Sequence, residues 1–439
     1  MKTLALFLFV FLSINIFSCK TEKETTSSIS IDNSISDMVE NSDEIEKYDY
    51  NPIINDTDFS DAGAITDFSF KIFKNLCEDN KDENISFSPV SLNIAMGMLY
   101  SGARGNTAAE ISTVFGFQKE TNGFLSGFSN YLKYFNEFAK DTSLDFNLAN
   151  RIFLENTYII KDDYRQIIKQ YFNGAFKNVD FRHKFKDEEL LINSWVSEMT
   201  KNRIRNLIPE GTLDENTKMV LVNAIYIKSK WKYPFSESAT QSKKFYSTKD
   251  VSSNTDFMIQ RTKGVRYTEY KTNQVLELPY TTPELSLIII LPRNSDLHNI
   301  NSNIPSGAEY FEIINNLKFN DVYMEIPKFK IESSFKLAEV LKEMGVKDAF
   351  GFSDFSGITN SNELAISEVL QKVFFEIDEK GSEAAAATAI VMIATSSVME
   401  QEMDLFINFI ANRPFIYILK ENKFNTPLFI GQYKKPENN

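Results

Sequence analysis

The chain has 439 residues, 43% hydrophobic and 24% charged, with a formal net charge of −13; at roughly 100–200 residues per domain it can bury a large core, and its composition excludes whole-chain disorder and a multi-span membrane protein. That negative charge, without any concentrated run of Lys and Arg, argues against nucleic acid and against a heparin site. Two cysteines, Cys19 and Cys77, are too few for a disulfide scaffold or a Cys-type metal site, and the two histidines, His183 and His298, lie outside any HExxH motif and read as surface loop residues.

At the amino terminus, Lys2 and the apolar run Leu4 to Phe17 have the charge and length of a secretory signal, too short to span a bilayer comfortably. The run ends in Ile16-Phe17-Ser18-Cys19, similar to a bacterial lipobox, in which a small residue precedes a cysteine that is diacylated and becomes N-terminal after cleavage. Phe17 is bulkier than the usual occupant of its position, so a plain signal peptide with an incidental cysteine is the other reading. The expectation is a signal peptide over 1–18 and a lipidated, flexible tether over 19–58, rich in Ser, Thr, Asn, Asp and Glu. Its ~40 residues reach about 35 Å. The protein is then exported and lipid-anchored at the bacterial cell envelope or surface, with the lipid as its only membrane contact, or else secreted.

From Phe59 the periodic segments follow one another with short connections, which predicts one domain over 59–439. Helices are predicted over Ala64 to Leu76, over Ser91 to Tyr100 behind the capping pair Ser88-Pro89, and over Lys336 to Met344, closed by Gly345. Strands are predicted over Val220 to Ile227, Leu285 to Leu291, Val322 to Ile326, Val369 to Ile377, Phe415 to Leu419 and Leu428 to Ile430. The 38 Phe and 18 Tyr favour sheet. Helices dominate the first half and strands the second, the segregated order of an α+β protein.

The segment Glu379-Lys380-Gly381-Ser382-Glu383, followed by Ala384, Ala385, Ala386, Ala387 and Thr388, carries the most information. Propensity alone makes the alanines helical. Strand-like Phe374 to Asp378 before them and β-branched residues after them fit another reading, a segment able to enter a sheet as a new strand. Ser382, Ala384, Ala386 and Thr388 share one face at period two, and all are small, as entry into a packed structure requires.

In this order and spacing the chain resembles the serpin family over about residues 59–435. Asn84 to Ser91, reading NISFSPVS, is similar to the segment that opens the family's buried helix, and Asn223 to Trp231 is similar to its central-sheet strand. Ile326-Pro327-Lys328-Phe329, Phe355-Ser356-Gly357-Ile358, Ile366-Ser367-Glu368-Val369, Asn412-Arg413-Pro414-Phe415 and Leu428-Phe429-Ile430-Gly431 follow as further family segments. The resemblance implies an α+β serpin fold, one large domain with a central, mostly antiparallel sheet, further sheets, about eight to nine helices and an exposed reactive loop at about 379–405.

It also implies suicide inhibition of serine or cysteine endopeptidases by a monomer that is not an enzyme and needs no cofactor or metal. The protease cleaves the loop, stays bound as an acyl-enzyme and is carried off as the loop enters the sheet. Ser88, Ser91, Asn223 and Gln371 match the shutter beneath the sheet, and Trp231 the breach where insertion starts. Gln371 stands where a histidine is common in the family, which removes a titrating group. Counting from Glu379 places the reactive bond at Thr395-Ser396, whereas counting back from Asn412 gives a bond near Glu400 to Met403. Thr395 suits a protease with a small or shallow apolar primary pocket, elastase-like or subtilisin-like. No Arg or Lys between Lys380 and Arg413 invites a trypsin-like enzyme. The alternatives are a non-inhibitory binding protein of the same fold and, with no nucleophile motif in its favour, a hydrolase.

Overall fold

Ser88 caps a helix as its sequence demands: its side chain accepts from the Ser91 N–H, Pro89 occupies the first turn, and the helix runs over Pro89–Gly102 with every residue buried. A helix apolar all round must have protein on all sides. In the computed structural model this one lies between two sheets, packed on strands Leu144–Glu155 and Met219–Lys230 of one and on Pro427–Tyr433 of the other. The structure describes residues 62–437 apart from 118–120, 139, 141–143, 173–175, 294–299 and 383–405. Cys19, His298, the alanines of the hinge with Thr388, and Thr395-Ser396 therefore lie outside the described residues.

The smaller sheet has the strand order Phe329–Lys336, Glu368–Ile377, Met219–Lys230, Leu144–Glu155, Phe176–Val179, with the short strand Gly381–Ser382 also pairing Met219–Lys230. Three of these five pairings are antiparallel; Glu368–Ile377 with Met219–Lys230 and Leu144–Glu155 with Phe176–Val179 are parallel. The central strand Met219–Lys230 divides its side chains by period two. Met219, Leu221, Ile225 and Ile227 enter the core shared with the buried helix. Val220, Val222, Ala224 and Tyr226 enter a second core with Ile192 and Val196 of the helix Phe181–Met199 and with Ile204 to Leu213.

The nine-stranded sheet runs Ile85–Phe87, Pro427–Tyr433, Phe415–Glu421, Leu285–Pro292, Asn273–Pro279, Ser252–Tyr270, Lys318–Pro327, Ile407–Ile410, with Gln241–Tyr246 added to Ser252–Tyr270. Aromatic rings join the two sheets: Phe375 stacks on Tyr417 with centroids 4.8 Å apart, and Phe329 stacks on Tyr433 at 4.8 Å. The aromatic excess of the composition is used in this contact.

The α+β class stands, with eight α-helices among the described residues. Two expectations need correction. Lys336 ends a strand rather than starting a helix, because Phe329–Lys336 alternates buried and exposed residues along its whole length and the helix begins only at Ala338. His183 is exposed but sits in the first turn of the helix Phe181–Met199, where Asp180 accepts from its backbone N–H at 3.1 Å.

Candidate functional site

The end of the strand Glu368–Ile377 is shaped by Asp378. Its Oδ1 accepts from the backbone N–H groups of Lys380 and Gly381 at 2.8 and 3.1 Å, and its own N–H donates to the Gly381 carbonyl at 2.9 Å. An aspartate closing its own turn in this way needs no outside partner. The turn lays Gly381 and Ser382 antiparallel against Lys230 and Ser229. Gly381 has φ +153°, and a Cβ on it would stand 2.1 Å from the Ser229 carbonyl oxygen, so glycine is required.

Trp231 is the anchor of this turn. Its indole stacks on Tyr280 at 4.5 Å and donates through Nε1 to the Asp378 carbonyl at 2.8 Å. The Trp231 and Phe235 backbone N–H groups donate to the carbonyls of Lys380 and Glu379 at 2.9 and 2.8 Å. The Tyr280 hydroxyl lies 2.6 Å from the buried Ser382 hydroxyl. Burial pushes the Tyr280 pKa up despite that bond, so the phenol stays neutral and the pair stays hydrogen-bonded.

Glu379 is buried and doubly held: Thr240 donates its hydroxyl to Oε1 at 2.6 Å, and Lys328 Nζ stands 3.1 Å from Oε2. Burial works to raise the carboxyl pKa, but the bonds from Thr240, its own backbone N–H and Lys328 outweigh it, and the net position is below the ordinary carboxylate value. The neighbouring Lys380 ion-pairs with Glu237 at 3.0 Å.

The second polar cluster lies under the middle of the sheet. Asn150, Asn223 and Gln371 are register partners on three adjacent strands, one row of amides across the sheet. Ser91 of the buried helix donates to Asn150 Oδ1 at 2.5 Å, and Asn150 Nδ2 returns a bond to the Ser91 carbonyl at 3.2 Å. Asn223 Oδ1 stands 3.4 Å from the Ser91 hydroxyl, and its Nδ2 is 3.5 Å from the Leu370 carbonyl. Gln371 bonds Ser88 through both ends of its amide, at 2.9 Å each. Of these groups Ser88, Ser91, Asn223 and Gln371 are fully buried, so the network satisfies atoms that water does not reach.

Among the described residues the sheet between the two clusters is incomplete. Glu368–Ile377 pairs with the central strand from Glu368↔Val220 to Val373↔Ile225 and no further. Beyond that point Phe374–Ile377 and Tyr226–Lys228 do not pair with each other, and Gly381–Ser382 takes the last places at Ser229 and Lys230. The result is a slot with a floor at Val373 and Ile225 and a doorway at the Asp378 turn.

The structure thus brings Ser88, Ser91, Asn223 and Gln371 together and places Glu379, Gly381, Ser382 and Trp231 in a separate group at the doorway. Asn150, Tyr280, Thr240 and Lys328 belong to these groups but carry no local signature; Thr240 and Glu379 are 139 residues apart in the chain. Among the described residues no group of three or more His, Cys, Asp or Glu could hold a metal ion.

The family described as Serpin (serine protease inhibitor) matches residues 63–436. Human Serpin B3 is 35% identical over 390 residues, covering 85% of this chain and 98% of the relative. The leukocyte elastase inhibitor of Xenopus tropicalis is 37% identical over 383 residues, covering 85% and 99%. Among solved structures, Serpin48 of the insect Tenebrio molitor superposes with a TM-score of 0.78 at 28% identity, covering 88% of this chain and all of that one. Matched by the family over residues 63–436 and by relatives and solved structures along nearly the whole described region, the chain belongs to the serpin family.

Proposed function

We propose that this protein is a suicide inhibitor of serine endopeptidases, and of cysteine endopeptidases that form the equivalent acyl-enzyme. The observation that carries this is the slot: Gly381 and Ser382 are already seated on the central strand while, among the described residues, Phe374–Ile377 and Tyr226–Lys228 below them do not pair with each other. On insertion in the same register Glu383 would come opposite Lys228, Ala384 opposite Ile227 and Ala386 opposite Ile225, and the period-two face of small residues would meet the core under the buried helix.

The protease serine attacks the Thr395 carbonyl, the peptide bond to Ser396 breaks, and the Ser396 amine leaves with the proton. The freed segment then enters the slot with the ester still attached. About ten inserted residues with partners on both sides form ~20 hydrogen bonds at about 0.5–1.5 kcal/mol each, roughly 10–30 kcal/mol before chain entropy is subtracted. Displacing a catalytic group by ~1 Å costs about a hundredfold in rate, enough to preserve the ester. Thr395 points to an elastase-like or subtilisin-like target, in line with a relative named as an elastase inhibitor. The tether and Cys19 complete the reading as a lipid-anchored, exported monomer.

The test is incubation of residues 59–439 with a panel of serine and cysteine proteases, followed by a denaturing gel. A covalent band of summed mass is expected with an elastase-like enzyme. Loop cleavage without such a band, across the panel, would favour the non-inhibitory binding protein instead.

A further inference from the structure

Between the strands Ile407–Ile410 and Phe415–Glu421 stands Arg413, partly buried. Its Nε donates to the Pro292 carbonyl at 2.6 Å, and its Nη1 to the Ile410 carbonyl and to Asn412 Oδ1 at 3.2 Å each. All three acceptors are neutral. Among the described residues no carboxylate pairs with this guanidinium, and its Nη2 donates to none of them.

The charge that does reach it is a second cation. Pro292 and Arg293 share a peptide unit, so Arg413 is fastened at the base of another arginine. Burial first and Arg293 second lower the Arg413 pKa, with nothing opposing them. The described carboxylates of this corner are already committed. Glu269 pairs with Arg293, and Glu325, whose carbonyl accepts from the Ala411 N–H, pairs with Lys243 at 2.5 Å. Two arginines against Glu269 leave one positive charge, in a chain whose net charge is −13.

A charge withdrawn from water without a counter-ion is unfavourable, and an anion taken from solution relieves it. The surplus of one charge selects a monoanion. The donors select further, because Nη2 carries two N–H groups in the guanidinium plane, and Asn412, fixed through its Oδ1, keeps its Nδ2 free among the described residues. Planar donors fit a carboxylate better than a spherical halide or a tetrahedral dianion.

We propose that Arg413 Nη2, with Asn412 Nδ2, binds a small carboxylate, and that the bound anion strengthens the tie between the strands Ile407–Ile410 and Leu285–Pro292. The tie is Arg413 itself, which holds the last carbonyl of each strand. An anion that binds only the assembled corner opposes its opening by mass action.

The experiment uses the full chain with ¹⁵N-labelled arginine and follows the Arg413 Nε–Hε signal, identified by its absence in Arg413→Lys. Should that variant not fold, the signal displaced by Asn412→Asp identifies it. Acetate is the probe, acetamide its neutral counterpart, and chloride and sulfate are the controls at matched ionic strength. Acetate should move the signal to saturation with a dissociation constant of about 1–50 mM. Chloride and sulfate should need at least about threefold more for the same shift, and acetamide should give none. Asn412→Asp supplies a carboxylate of the chain's own beside Nη1, so it should abolish the acetate response and raise the thermal midpoint by about 1–3 °C. With acetate at ten times its dissociation constant, exchange of the Ala411 amide proton, bonded to the Glu325 carbonyl, should slow about tenfold. No shift with acetate, an equal shift with acetamide, chloride or sulfate, or an acetate response that survives Asn412→Asp overturns the site. Unchanged Ala411 exchange at saturation overturns the tie. No protease takes part, so the outcome is separate from that of the inhibitory reading.

Discussion

Gln371 grips the first peptide units of the buried helix at Ser88 from both sides, its Oε1 accepting from the Ser88 N–H and its Nε2 donating to the Ser88 carbonyl, each at 2.9 Å. The strand that the proposed insertion would part from its neighbour is thereby tied to the helix beneath it, and the tie does not titrate. Gln371→Leu leaves the Ser88 N–H buried and unpaired and its carbonyl with only the long bond from the Leu92 N–H at 3.5 Å, and should lower stability by about 1–3 kcal/mol in chemical denaturation. Its loss should be the same at pH 5 and pH 8; a cost that varies across that range would place a titrating group in the network.

Glu379 is charged in the folded protein more readily than in the unfolded chain, since its net pKa lies below the ordinary value. The sign follows: its contribution is fully present above about pH 4.3, the unfolded carboxylate value, and is lost as pH falls through the lower folded value. Glu379→Gln should cost about 1–2 kcal/mol at pH 7, held down by the half-exposed Lys328 partner, and the gap from wild type should close in acid. Glu379→Lys faces Lys328 with like charge and should cost more, with increased proteolytic nicking near Gly381.

Ala386→Arg tests the slot. If the proposed insertion continues the register of Gly381 and Ser382, this residue would come opposite the fully buried Ile225, where a guanidinium would have no partner. The ratio of cleaved loop to covalent complex should rise at least tenfold. An unchanged ratio would remove insertion from the mechanism.

For the bait bond, Thr395→Arg should create inhibition of trypsin-like enzymes, because the guanidinium reaches the acidic group of their primary pocket. Arginine at Glu400 should be cut without efficient trapping. Mass spectrometry of the fragment released from the wild type should find Ser396 at its start; a fragment beginning after Met399 would move the bait to the later bond.

Cys19→Ala should shift the protein from the membrane fraction to the soluble fraction or leave the leader attached. A wild type that is already soluble, with another N-terminal residue, rules out the lipid.

Much of this was legible along the chain. Ser88-Pro89 announced the buried helix, Gly345 at φ +117° the end of the helix Ala338–Met344, and the Val/Ile/Phe runs five of the six strands close to their observed limits. What escaped has a physical reason. Ser252–Tyr270 is a 19-residue strand with one face largely exposed, so its polar residues hide the period. Asn150 is an ordinary asparagine until the register places it beside Asn223, and Lys328 is an ordinary lysine until Glu379 folds against it. Local signals specify elements; partners across a sheet exist only once the sheet is assembled.

Trp231 gives the molecule an optical property of its own. It is one of two tryptophans, and the other, Trp195, sits on a different element beneath the Arg151 guanidinium at 4.4 Å. With Trp195 replaced by Phe, all indole emission comes from a ring that is stacked on Tyr280 and bonded to the Asp378 carbonyl. Departure of the turn removes both contacts and admits water, which shifts the emission to the red and weakens the near-ultraviolet dichroism of the stacked pair. The state of the doorway is therefore visible in real time, without any attached dye.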